Sequence, residues 1–470
     1  MYRIIVIVLT SLLLSACMFG PDFEKPEYDQ PETFRFAEDG AEVEEAVNLK
    51  WWELFSDPVL VSLVNTALQN NLNVRAAISR IDEARAALGF SEADLYPMLD
   101  IQAGAQIGNY IGMGRSETTD KSAFIAPVLS WELDFWGKYR RSNESARADL
   151  LATEYSLRTV QLSLVTEVVS AYYLLLDYYQ RLGLAAFTMD SRQESLDIIQ
   201  KRFDRGIIPE IDLNQAQIQR EIAAASIPLY QRLIAKTENG ISILLGQYPQ
   251  AIKTGQELHL QPVPPDIPVG LSSAILDRRP DVSTALARLH AQTAKIGVAQ
   301  AMRFPSISLT GLLGLASVEL DGVTDSGEIW SAGAGLAGPI FNWNKNIRRV
   351  DIEEERTRQA LIEYERVLLQ AYREVADALV EIETLEEQLK AVARKNKAAK
   401  NANKLSKLRY DKGATSYLEV LDTERTLFSV GLELSELEQQ YRNAYVRLYK
   451  ALGGGWLSEE EMLEAGTTEG

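Results

Sequence analysis

In 470 residues there is one cysteine, Cys17, and two histidines, His259 and His290. The histidines lie far apart, and no histidine–cysteine spacing marks a metal site. Sixty-six acidic residues make carboxylate pairs too common to single out a general acid and base. Neither a GxxxxGK[ST] nor a GxGxxG loop is expected, so energy is expected from another protein. The chain is read as no enzyme, with no cofactor and no metal. The residues that stand out do so by position. In RFDRGIIPEIDL and RYDKGATSYLEVLD a glycine, Gly206 or Gly413, follows a long breaker-free stretch and precedes acids, Asp212 in one case, Glu419 and Asp422 in the other. Glycine permits the positive φ of a turn between helices. Acids in the first turn of the returning helix stabilise its dipole by about 0.3–1 kcal/mol each.

The elements that hold those turns are long. From Lys345 to Lys412 there is neither proline nor glycine, and from Lys138 to Arg205 only Gly183 intervenes. At 1.5 Å rise per residue each arm is roughly 100 Å, the length of a wall stave. The returning arms start at Asp212 and Ser416; Pro228 inside the first is expected to bend it. Asp57-Pro58 reads as a helix N-cap followed by proline at the first helical position, opening a helix to about Leu95. Strands are expected at about 98–109 and 123–135. Leu99, Ile101, Ala103 and Ile107 alternate with Asp100, Gln102 and Gln106 in the first; Ile125, Leu129, Trp131 and Phe135 share one face of the second, and Glu132 and Asp134 the other. As membrane strands they turn Glu132 and Asp134 to a lumen, with Trp131 and Phe135 towards lipid. An ordinary sheet packed on a helix stays open, since alternation alone does not separate the two.

The N-terminus reads as a signal peptide, 1–16: Arg3, an apolar run from Ile4 to Leu14, then small residues before Cys17. Leu14-Ser15-Ala16-Cys17 resembles a bacterial lipobox, which implies a lipidated Cys17; Met18 in place of aspartate points to the outer membrane. Residues 17–56 then form an extended arm rich in proline and acids, anchored by Trp51 and Trp52. No later run of eighteen apolar residues exists, so membrane insertion is expected through strands. Net charge −18 and pI near 4.8 argue against nucleic acid.

The chain then starts again. DRRPDVSTALARLHAQTAKIGVAQAMRFP matches the helix ending at Tyr96-Pro97. Strands at about 306–317 and 328–341 follow, and landmarks such as Gly206 and Gly413 recur at a near-constant shift. Two copies result, 57–246 with a hairpin at 138–246 and 271–455 with a hairpin at 345–453, joined by a linker at 247–270 and followed by an acidic tail, 456–470. Four strands cannot close a membrane barrel. Several protomers must share one; three give about twelve strands above about twelve helical staves. The fold class is mainly α with a membrane β-barrel.

These residues together resemble the outer membrane factor family of TolC-like channels, in its lipoprotein branch. The resemblance rests on Cys17 with GPDFEKPE, KWWELFSDPVL, the DRRPDV helix, FPSISLTGLLG, GPIFN, RYDKGATSYLEVLDTER and ALGGGW, and covers essentially the whole mature chain. It implies a homotrimer: a pore in the outer membrane, a helical tunnel in the periplasm, and docking to a periplasmic membrane-fusion adaptor and an inner-membrane pump of the resistance–nodulation–division or major facilitator type. It also implies roles. The turns around Arg202, Gly206, Arg409 and Gly413 are the adaptor-facing tips. Glu419 and Asp422 match acids that ring the closed aperture, where they concentrate cations; Asp212 and Tyr410 match links between neighbouring helices. Thr415 stands where a basic latch occurs in TolC, so no salt-bridge latch is assumed. The expected function is a passive exit duct. An outlet for secreted polypeptides and a non-conducting envelope scaffold are the alternatives.

Overall fold

The computed structural model describes residues 18–28, 31, 34–36, 57–111, 114–261, 276, 278–317 and 327–454. The expectations for 1–16, Cys17, Trp51, Trp52, 262–270 and 456–470 lie outside the described residues. In chain order the elements are α1 (Pro58–Asn70), α2 (Leu72–Ala93), β1 (Met98–Ile111), β2 (Gly114–Leu133), α3 (Lys138–Asp204), α4 (Glu210–Leu244), α5 (Pro280–Ala301), β3 (Ser306–Ser317), β4 (Gly327–Ala337), α6 (Lys345–Asp411) and α7 (Tyr417–Ala451).

The duplication is kept to the residue. α2 and α5 each have 22 residues and are offset by 208 positions (280 against 72). α3 and α6 each have 67, and α4 and α7 each have 35, all offset by 207 (345 against 138, 417 against 210). One residue of difference is therefore absorbed between α2 and α3.

Several expectations need correction. The helix expected from Asp57 to about Leu95 is two helices. Asp57 does cap α1, accepting from Val59 N at 2.9 Å, but Asn71 stops it with ψ 131°. The Asn71 Oδ1 then accepts from Asn73 N at 2.8 Å and Val74 N at 3.3 Å, while its amide donates to Leu244 O at 2.8 Å. A short amide side chain competes with the helix for backbone partners, and here it wins. α4 runs through Pro228 as one helix. β2 starts earlier and ends earlier than expected, leaving Asp134 and Phe135 beyond it, and β4 stops at Ala337 rather than 341. Although a literal run of eighteen apolar residues is absent, α3 contains an 18-residue window of mean hydropathy 1.4, long and apolar enough to cross a membrane. Over half of that window is buried within the protein, and Tyr172, Tyr173 and Leu175 on the same helix are wholly enclosed. Its apolarity is that of a core helix.

Two compact units emerge, and they cut across the repeats. One comprises Met1–Glu27, Ser79–Glu154 and Thr284–Arg366; the other comprises Tyr28–Ile78, Tyr155–Ser283 and Val367–Gly470. The first holds the sheet, an antiparallel meander in the order β1-β2-β3-β4. Its register places Leu99 against Leu129, Ile125 against Leu315 and Leu313 against Trp330 on one face. All six are exposed. Asp100, Gln102, Ser130, Glu132, Ser308 and Thr310 fall on the other face. Among the described residues the outer edges of β1 and β4 pair with nothing.

In the same unit the chain after Cys17 is held firmly. Phe19 stacks on Phe304 at 4.5 Å. Arg141, 2 % exposed, donates to Phe19 O, Gly20 O and the Asp22 carboxylate. Gly20 crosses Gly297 so closely that a Cβ on either would strike backbone. In the second unit Phe34 packs beside Tyr372.

Candidate functional site: the helix-turn tips

Both long helices end in the same way. At the end of α3, Gly206 has φ +67°, its N–H reaches Phe203 O at 2.8 Å and Ile207 N reaches Arg202 O at 3.0 Å. At the end of α6, Gly413 has φ +70°, with Gly413 N to Tyr410 O and Ala414 N to Arg409 O both at 2.9 Å. This pair of bonds around a left-handed glycine satisfies the last carbonyls of the helix and turns the chain sharply. The returning helices begin without a side-chain cap, after Pro209 and Ser416, but with acids in their first turns.

The two turns pack into one cluster. Ile199, Ala216, Tyr417, Val420 and Leu421 are buried together, with Ile208, Leu213 and Tyr410 against them. Tyr410 is the pivot: its ring lies 5.3 Å from that of Tyr417 and under the Arg202 guanidinium at 4.9 Å. A cation over a tyrosine face contributes about 0.5–1 kcal/mol when exposed and more as water leaves. Burial pushes the Tyr417 hydroxyl above the usual phenol range, and the charges of Glu424 and Asp212 add to the shift.

Expected site residues thus separate into groups. Arg202 and Tyr410 meet directly, and Asp212 acts on the same cluster through its charge. Arg409 donates to Glu419 at 2.8 Å, and the Thr415 hydroxyl donates to the other Glu419 oxygen. The residue at the latch position therefore engages Glu419 as a neutral donor, and the cation comes from the preceding helix. Asp422 is exposed and makes no ion pair among the described residues. Glu132 and Asp134 lie in the other unit. Glu132 accepts from Lys138 at 2.7 Å and Tyr139 Oη at 3.0 Å. Asp134, expected to face a lumen from a strand, instead caps α3, accepting from Tyr139 N and Arg140 N.

Other residues escaped the sequence reading. Arg192, 3 % exposed, donates to Gln219 O at 2.5 Å and Glu424 O at 3.4 Å and lies 5.2 Å from the Phe428 ring, joining α3, α4 and α7. Burial draws its pKa below the usual guanidinium value. Arg279, also buried, binds Asp281 and Glu374 at 2.8 and 2.7 Å and donates to Ala451 O at 2.7 Å. A charged residue on the apolar stripe of a helix was the available signal for Arg192. The spacing GxGxxG does occur, at Gly333, Gly335 and Gly338, contrary to the expectation of no such loop. Its first two glycines lie inside β4, not between a strand and a helix, so they form no phosphate cradle.

A duplicated helical hairpin bearing a two-faced sheet is the fold of an outer-membrane channel protomer. The chain belongs to the outer membrane efflux protein family, whose model matches residues 63–247 and again 271–454. The cation efflux system protein CusC of Escherichia coli O157:H7 is 34 % identical over 453 residues, covering 95 % of this chain and 97 % of CusC. The solvent efflux pump outer membrane protein SrpC of Pseudomonas putida is also 34 % identical, over 455 residues, 95 % of this chain and 97 % of SrpC. The crystal structure of the Campylobacter jejuni CmeC outer membrane channel superposes with a TM-score of 0.89 at 26 % identity, over 96 % of this chain and 98 % of that one.

Proposed function

We propose that the chain assembles as a homotrimeric exit duct, anchored by lipid on Cys17 in the outer membrane, and receives its cargo from an inner-membrane transporter through a periplasmic adaptor. The observation that carries this reading is the open sheet. Its one face exposes Leu99, Ile101, Leu313 and Trp330, its other carries the sheet's Asp100, Gln102, Glu132, Ser308 and Thr310, and among the described residues both edges lack partners. Lipid accepts the first face, water the second, and only closure with further copies satisfies the edges. Three copies supply twelve strands, enough for a barrel. The tips are its aperture, and Arg202 over Tyr410 supplements hydrogen bonds in holding it.

Of the two acids on the returning helix, Glu419 is already neutralised by Arg409, so Asp422 is assigned the larger share of ion selectivity. The test is planar-bilayer conductance of the purified trimer, comparing native protein with Asp422→Ala and Glu419→Ala. Native protein is expected to be cation-selective and nearly closed, with Asp422→Ala reducing selectivity more. A verified membrane-inserted trimer that forms no pores would falsify the duct. CusC and SrpC are equally similar to this chain yet named for cations and for solvents, so identity does not choose a cargo.

A further inference from the structure

Where α2 runs into β1, three helices and the N-terminal arm border a cleft of about 540 Å³. That falls within the roughly 300–1,000 Å³ of small-molecule sites. The end of α2 contributes Glu92, Leu95 and Tyr96, α5 contributes His290, and Met18 borders it from the arm. The longest wall is α3, whose Arg140, Asn143, Arg147 and Leu151 recur at i, i+3, i+7 and i+11 along one face of the helix.

One residue of that wall is unsatisfied. Asn143 is 8 % exposed, its Oδ1 is enclosed, and its amide makes no hydrogen bond among the described residues. A polar group enclosed in this way destabilises a fold unless something pairs with it. The second copy shows that the shared architecture does not ask for it. At the matched position, 207 further on, stands Val350, buried with Ile296 and Ala299. Arg140 and Arg147 are likewise matched by Ile347 and Glu354. The polar wall therefore belongs to the first copy alone.

The charges of the cleft come in both signs. Arg140 is held by Asp134 at 3.1 Å, and Glu144 is held by Arg141 at 2.7 Å and faced by His290 at 3.1 Å. Arg147 and Glu92 form only a loose pair at 3.5 Å, with the arginine side chain 70 % exposed. Both therefore keep capacity for a ligand, and together they suit one that carries an anion and a cation side by side. Leu95, Leu151 and Met18 on the same walls suit hydrocarbon.

Position narrows the ligand. Tyr96 and Pro97 lead directly into β1, and Trp131, near the end of β2, donates to Leu95 O at 3.0 Å. Met18 is one residue from Cys17. On the duct reading the cleft then lies at headgroup level on the periplasmic side of the membrane, where exposed tyrosine and arginine are at home.

We infer that the cleft seats one phospholipid headgroup per chain, of the kind that carries a primary ammonium beside its phosphate, as phosphatidylethanolamine does. The phosphate takes Arg147 and the Asn143 amide, the ammonium takes Glu92, and the acyl chains leave over Leu95 and Leu151. The placement at the membrane rests on the duct reading.

The full-length protein, stripped of lipid in detergent, is titrated with dioleoyl phosphatidylethanolamine, phosphatidylglycerol and phosphatidylcholine, and lipids retained per chain are counted by native mass spectrometry. One ethanolamine lipid per chain is expected, held about tenfold more tightly than glycerol, which lacks the ammonium, or choline, which has no N–H to donate. Asn143→Val reproduces the second copy's residue, so it should lose that preference while its melting temperature holds or rises. Arg147→Gln, at an exposed position, should lose it too, and Glu354→Gln at the matched position should not. Equal retention of the three lipids overturns the inference, as does an Asn143→Val protein that keeps the preference. Water-soluble glycerophosphoethanolamine should displace the lipid; inorganic phosphate displacing it equally well reveals a plain anion site and also overturns the inference. Planar-bilayer conductance keeps the duct reading separate. Native pores with no headgroup preference sink the seat alone, whereas an ethanolamine lipid retained by a protein that forms no pores sinks the duct alone.

Discussion

Arg279 concentrates more interaction than any single residue at the tips. Its guanidinium is nearly enclosed, yet its two carboxylate partners are about one-third exposed. Removing it in Arg279→Ala strands Asp281 and Glu374 beside the Ala451 carbonyl, and an uncompensated group of this kind costs about 3 kcal/mol. Burial pushes the Asp281 carboxyl up, but the hydrogen bonds and charge of Arg279 outweigh it and hold the carboxyl below its usual range. A depressed folded value means that the stabilisation is present above the unfolded value, about 3.9, and is lost as pH falls through the folded one. Guanidinium unfolding of the whole protein in detergent, followed by circular dichroism at neutral pH and near pH 3, should show native protein losing this increment in acid. Asp281→Asn should flatten that loss; an unchanged acid limb would count against the pairing. The DRRPDV stretch was legible as part of a helix, because it matches the helix of the first copy. The role of Arg279 was not, because its partner Glu374 is ninety-five positions away.

At the scale of elements, two kinds of glycine separate. Gly206 and Gly413 have positive φ with nothing near a prospective Cβ, so alanine there should cost only the left-handed backbone, about 1–2 kcal/mol each. Gly297 is ordinary in φ but meets Phe19 O and Arg141, so Gly297→Leu should expel the arm bearing Cys17. Limited proteolysis should then cut the arm early while helix content stays native; an arm as resistant as in the native protein refutes the contact. The turn glycines were readable because each follows a long breaker-free stretch. The arm's seat was not, because it depends on two distant glycines crossing. The break at Asn71 was missed for a related reason: asparagine is tolerated in helices, and its local caps on Asn73 N and Val74 N are joined by a tertiary bond to Leu244 O that the sequence does not show.

For the whole molecule, the open edges of β1 and β4 predict a three-chain mass by sedimentation in detergent, held on dilution. A lone chain at low concentration would show the edges satisfied in some other way. Duplication, strand pairs and long arms were all visible in the sequence through spacing, whereas the choice of Asp134 as a helix cap over a strand position was not, since period two cannot say where a strand ends. The equal lengths of the paired helices carry a consequence for anyone who would resize this protein. One residue added to a helix rotates everything beyond it by about 100°, whereas a strand connection absorbs it. The copies differ by one residue between α2 and α3 and by none in their 67- and 35-residue arms. Deletions of seven residues, made at matched levels in α3, α4, α6 and α7 together, nearly restore the facing of each helix. They should yield a shorter molecule with its tips and sheet intact, a ruler that can be cut only at whole marks.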